Sequence, residues 1–162
     1  MNIFSWLIAL LSGNSERLCK SIACEVKFQL LTDTAKLPTK SRGSDAGIDI
    51  YSDCNIVSYP HTVVKVETGV AWQPPTGWCA KIEDRSSIGS SGLKQVGGVI
   101  DEEYRGEIIV CLANVTEFII EIKKGQKIAQ LLLHRVPNVI ITEVDYLEES
   151  DRADKGFGSS GK

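Results

Sequence analysis

The chain has 162 residues, 43% of them hydrophobic, which is enough for one sizeable core and predicts one globular domain with modest extensions. Its 18 basic and 21 acidic side chains leave a net charge of −3, which excludes a basic nucleic-acid-binding surface as the default. Five cysteines (Cys19, Cys24, Cys54, Cys79, Cys111), none in a CxxC pair, and two distant histidines, His61 and His134, offer no zinc-ligand spacing, disulfide framework or Ser-His-Asp constellation. A reducing, intracellular compartment, the cytoplasm, is the simpler expectation.

The chain opens on MNIFSWLIALLSG, whose apolar run over 3–11 is shorter than the about 20 residues that span a bilayer. No Lys or Arg precedes that run and no small-x-small site follows it, so neither a membrane anchor nor a signal peptide is expected. Residues 1–23 are read as a short apolar helix appended to the body. After Cys24 the pattern changes to alternation. Val26, Phe28 and Leu30 alternate with polar neighbours, as do Val64 and Val66 around Lys65. Further strands are predicted over 78–83, 107–115, 117–122, 127–134 and 139–144. Turn signals such as Tyr59-Pro60, Pro74-Pro75-Thr76-Gly77, Lys124-Gly125 and Pro137-Asn138 punctuate them. Short strands with turns roughly every 8–12 residues predict an all-β sandwich or barrel over 24–147. Residues 148–162 turn polar and Gly/Ser-rich, the composition of a flexible C-terminal arm.

Chemistry-bearing residues cluster at the ends of these strands. SDAGIDIYS (44–52) sets Asp45 and Asp49 around an Ala-Gly that permits close backbone approach. DRSSIGSSG (84–92) puts Arg85, Ser86 and Ser87 at a strand-to-helix turn, where hydroxyls, free N–H groups and a guanidinium make an anion site. GGVIDEEYRGEI (97–108) joins two strands through an acidic, aromatic and basic turn. KIAQLLL (127–133) is a buried strand interrupted by one amide, Gln130. RADKGFGSSGK (152–162) offers a cation, an aromatic and hydroxyls on the arm. Arginines, hydroxyls and glycines near isolated carboxylates suggest a polyphosphate with a divalent cation. Taken singly, each cluster also reads as ordinary turn, salt-bridge or capping chemistry.

Together and in this order, the five clusters resemble the five motifs of the trimeric dUTPase family, over about residues 25–161. The resemblance implies a jelly-roll-like distorted β-barrel and a homotrimer with shared active sites. It also implies hydrolysis of dUTP to dUMP and pyrophosphate with Mg²⁺. Carried onto this chain, Asp101 would orient and deprotonate the attacking water. Tyr104 would stack under the deoxyribose, and the backbone of Gly98, Val99 and Ile109 would pair with the uracil edge. Arg85, Ser86, Ser87 and Gln130 would hold phosphates, and Asp49 would anchor hydrated Mg²⁺. In the arm, Phe157 would stack on uracil with Gly158 beside it, while Arg152, Ser159 and Ser160 grip the terminal phosphates.

The chain departs from the family pattern at Ser87, where glycine is frequent, at Ala153 and Lys155, where glycines are usual, and at Ser160, where threonine is usual. A sister family of the same fold, dCTP deaminase, needs a glutamate on the strand after the third motif, and Cys111 stands there. A dUTP-responsive regulatory protein without catalysis is the rival from another class. Asp101, Asp49 and Arg152, all present, weigh against it.

Overall fold

The computed structural model describes residues 24–150. The helix expected over 1–23 lies outside them, as do Arg152, Phe157, Gly158, Ser159 and Ser160. Eleven strands and one short helix follow in chain order: β1 (Lys27–Leu30), β2 (Ile48–Tyr51), β3 (Ile56–Ser58), β4 (Val63–Val66), β5 (Val70–Gln73), β6 (Trp78–Glu83), α1 (Ser86–Ser90), β7 (Leu93–Gln95), β8 (Val99–Ile100), β9 (Val110–Asn114), β10 (Ile120–Ile122) and β11 (Lys127–Arg135). The fold is all-β and jelly-roll-like, but its sheets do not close into one barrel. A four-stranded sheet runs β2-β11-β6-β8 and a three-stranded one β4-β9-β7, beside the pairs β1-β5 and β10-β3. Every pairing is antiparallel.

Alternation builds the core. In β9, Val110, Leu112 and Asn114 point inward while Cys111 and Ala113 stand half-buried on the other face. Ile50, Val66, Trp72, Ile82, Leu112, Ile128 and Leu131 meet from the different sheets. Each fully buried aliphatic side chain contributes about 1.5–3 kcal/mol. The described cysteines Cys24, Cys54, Cys79 and Cys111 are free thiols. No described helix is long and apolar enough to cross a membrane.

Asn114 is the polar exception at the end of its strand's inward row, and it is fully satisfied. Its amide donates to the carbonyls of Ser58 (3.1 Å) and Phe118 (2.7 Å), and its Oδ1 accepts from Thr116 N (3.0 Å) and Thr116 Oγ1 (2.8 Å). One buried side chain thus ties β3 to the turn that leads into β10. Asn114→Ala orphans those partners, so unfolding free energy should fall by about 2–3 kcal/mol. Urea titration followed by tryptophan fluorescence checks this, and an unchanged midpoint would refute it.

The predicted strands shift in three places. The expected strand 117–122 shrinks to β10, because the Asn114–Thr116–Phe118 turn takes up its first residues. The expected 107–115 begins only at Val110, since Glu107 and Ile108 bond sideways to the β4–β5 turn. The expected 139–144 is not a strand. Its residues find no partner strand among the described residues, and Ile140 and Ile141 stand 88% and 93% exposed. β-propensity needs a neighbour to hydrogen-bond, and the described residues supply none there.

Candidate active site

The first of two cavities comes from a split in a β-ladder. β7 pairs with β9 so that Gln95 faces Leu112. Continued by three residues, that register would set Gly98 opposite Ile109. Instead Gly97 (φ +82°) and Gly98 (φ +93°) turn the chain away, and β8 joins the edge of β6, the Gly98 carbonyl accepting from Ile82 N at 2.8 Å. A side chain at 98 would collide with Gln95 Nε2 (2.2 Å) and Ile82 Cβ (2.9 Å), so both backbone angle and space require glycine. The Gly98 N–H and the Ile109 N–H and C=O are left without backbone partners among the described residues. Between them opens a cavity of about 210 Å³ lined by Ile82, Gly98, Val99, Asp101, Tyr104 and Ile109, among others. Such a slot, with Ile82, Val99 and Ile109 beside unpaired donors and acceptors on its edge, suits a planar heterocycle.

The turn after β8 carries Asp101 and Tyr104 and is held from several sides. Tyr104 N donates to the Asp101 carbonyl (3.2 Å), and its hydroxyl donates to the Glu107 carbonyl (2.9 Å). Gly106 makes room for that ring, since a Cβ there would lie 2.5 Å from the Tyr104 hydroxyl oxygen. Glu102 accepts from Gly77 N (2.7 Å), and Glu107 Oε1 accepts from Thr68 N (3.0 Å) and Gly69 N (2.7 Å). The Asp101 carboxylate stands exposed, with no hydrogen bond among the described residues.

The second cavity, about 450 Å³, is polar and lined by Ser41, Asp45, Ala46, Gly47, Asp49, Arg85, Ser86, Ser87 and Gln130. Arg85 is the extended N-cap of α1, and the N–H groups of Ser86 and Ser87 in the first turn have no partners among the described residues. Arg85 Nε contacts Asp49 Oδ1 at 2.8 Å, and Lys127 Nζ contacts Asp49 Oδ2 at 2.6 Å. Burial pushes the Asp49 carboxyl up, but the hydrogen bond from Lys127 and the charges of Arg85 and Lys127 outweigh it, so the group sits below the ordinary carboxylate range. Gln130 donates to the Asp84 carbonyl (2.8 Å), and only a glycine at 47 leaves it space, a Cβ there falling 2.1 Å from Gln130 Oε1.

Residues 33–161 match the dUTPase family model. A Variola virus deoxyuridine 5'-triphosphate nucleotidohydrolase is 36% identical over 141 residues, 87% of this chain and 96% of its own. The corresponding protein of Corynebacterium efficiens is 41% identical over 130 residues, 78% of this chain and 72% of its own. The chain belongs to the dUTPase family. Among solved structures, the G164S mutant of the Staphylococcus bacteriophage 80alpha dUTPase with dUpNHpp superposes with a TM-score of 0.80 at 28% identity, over 85% of this chain and 99% of that one. Membership makes the chain an enzyme, a hydrolase of the dUTP diphosphatase class.

Of the residues that the dUTPase motifs single out, the structure gathers Gly98, Val99, Asp101, Tyr104 and Ile109 in the first cavity. It gathers Asp49, Arg85, Ser86, Ser87 and Gln130 in the second. The two cavities share no lining residue. Motif reading by itself left out Ser41 and Lys127, which complete the surroundings of Asp49, and Glu107, which pins the dUTPase third-motif turn. Glu107 falls within the third motif and Lys127 within the fourth, but neither residue type signals a tertiary partner.

Proposed function

We propose that the chain hydrolyses dUTP to dUMP and pyrophosphate by in-line attack of water, activated by Asp101, on the α-phosphorus. The observation that carries this reading is the split ladder: an edge with unpaired N–H and C=O groups, of base size, with a free carboxylate at one end. In this reading the Gly98 and Ile109 backbone pairs with the uracil edge much as a neighbouring strand would, with Val99 against the base. Tyr104, fixed through its hydroxyl, packs against the deoxyribose and leaves no room for a 2′-hydroxyl. Asp101 accepts a proton from the attacking water, and the leaving pyrophosphate rests on Arg85, Ser86, Ser87 and Gln130.

The donor set also bears on magnesium. No group of three or more His, Cys, Asp or Glu side chains converges among the described residues, and both Asp49 oxygens already receive cations. These residues fit an ion carried by the triphosphate and largely hydrated, with Asp49 accepting from its water, as Mg²⁺ prefers. Bound there, the ion would neutralise charge developing on the phosphate oxygens. Arg152, Phe157, Gly158, Ser159 and Ser160 belong to this reading through the fifth motif alone.

We propose a homotrimer with shared sites, a reading that two features support. The two cavities share no lining residue, which suits a site whose base slot and phosphate cavity come from different copies. The exposed apolar run over 139–144 provides surface for such a copy to bury. We further propose a cytoplasmic enzyme, arranged as an appendage over 1–23, a catalytic core over 24–147 and a lid arm over 148–162. It would limit uracil incorporation into DNA and supply dUMP for dTMP synthesis.

Pyrophosphate release by the purified full chain tests the reading. dUTP should be consumed, with dTTP, dCTP and UTP turned over at least about 100-fold less efficiently, because the slot rejects added groups and the base edge is matched by buried polar contacts. Ammonia release from dCTP, or binding of dUTP without pyrophosphate, would overturn it.

A further inference from the structure

We propose that Lys127 is a positioning residue of the phosphate cavity, acting through Asp49 to hold Arg85; this rests on the dUTP-hydrolysing reading and deepens it. Side chains alternate between the faces of a strand, so a regular β11 would turn Lys127 to the same face as Ala129 and Leu131, which are buried in the core. A β-bulge prevents that. Gln130 lies opposite Asp49 and Ala129 opposite Ile50, yet Lys127 lies opposite Tyr51, so Ile128 is the extra residue. Ile128 and Ala129 are buried in succession, where unbroken alternation would bury one of the two. The inserted residue reverses the parity and puts Lys127 on the face of Asp49, Tyr51 and Gln130.

What Lys127 meets there is a closed network. Its Nζ contacts Asp49 Oδ2 at 2.6 Å and donates to Ser41 Oγ at 3.0 Å, and Ser41 Oγ donates to the same Oδ2 at 3.2 Å. The ammonium also lies 5.9 Å from the centre of the Tyr51 ring. The other carboxylate oxygen takes Arg85 through Nε. Asp49 is buried, so its charge is tolerated because cations occupy both oxygens. Anchoring through Nε leaves the two terminal guanidinium nitrogens, which make no hydrogen bond among the described residues, to grip an anion as a fork. Lys127 itself does not line the cavity. Its part is to fix the carboxylate that fixes the arginine, before any nucleotide arrives.

A metal-free measurement separates this role from one that depends on magnesium. Binding of a non-hydrolysable dUTP analogue and of deoxyuridine would be measured calorimetrically in EDTA for the full-length chain, for Lys127→Met and for Lys127→Arg. Lys127→Met should weaken the analogue about tenfold and leave deoxyuridine unchanged, with Lys127→Arg recovering most of the loss, since a misplaced contact group costs up to roughly 10²-fold. In the magnesium-loaded enzyme the same variant should raise KM more than it lowers kcat. Ser41→Ala, on the exposed rim of the network, should shift the analogue's Kd in the same direction by about threefold and covers the case of a poorly folded Lys127 variant. Analogue binding within twofold of wild type in both Lys127→Met and Ser41→Ala would overturn the proposal, as would equal weakening of analogue and deoxyuridine. A wild-type chain that binds no dUTP analogue would instead overturn the functional reading beneath it.

Discussion

Asp101→Asn should lower turnover by roughly 10²–10⁴-fold while binding of a non-hydrolysable dUTP analogue stays close to wild type. The expectation comes from geometry. Asp101 directly follows β8, the strand that forms one lip of the split ladder, and its backbone carbonyl is tied to Tyr104 N. Its side chain is therefore held at the wall of the first cavity while its carboxylate has no partner among the described residues. Asparagine keeps the shape and the hydrogen-bonding reach but cannot take the water's proton. Steady-state pyrophosphate release beside calorimetric binding measures both arms. A variant that turns over normally would move the base to another residue, and one that fails to bind would give Asp101 a part in holding the nucleotide.

The second large effect concerns the C-terminal arm. Truncation after Asp151 should reduce kcat by at least about tenfold while KM changes by less than about threefold, because contacts made only in the closed complex act on the transition state. Two features of the described core motivate this. Val99 is 67% exposed and Tyr104 is 46% exposed, so the base slot is open along one wall. The sequence supplies Phe157 to cover an aromatic base and Arg152, Ser159 and Ser160 to meet phosphate oxygens. Water left in an open slot weakens every charge interaction there and competes with the positioned nucleophile. Normal kcat in the truncated enzyme would remove all five arm residues from the site.

Sequence alone carried the family of this protein and the class of its fold. Alternation along 26–30 and 64–66, with turn signals between the other short apolar runs, carries the all-β character, because a strand's two faces are written at period two in its own residues. The five clusters carry the family by their residues and their order along the chain. What the tertiary structure decided is everything that depends on register and partner. Unbroken alternation along β11 would turn Lys127 to the core, and the inserted residue that reverses its side is a property of two strands together. Asp49 reads from the sequence as an isolated carboxylate, and only the fold brings Arg85, from the end of β6, and Lys127, from β11, onto its two oxygens. Gly97-Gly98 reads as a turn, and only the divergence of β7 and β9 makes it the wall of a slot. The run over 139–144 has strand composition but lies unpaired, since a strand exists only where another backbone meets its N–H and C=O groups, and among the described residues none does.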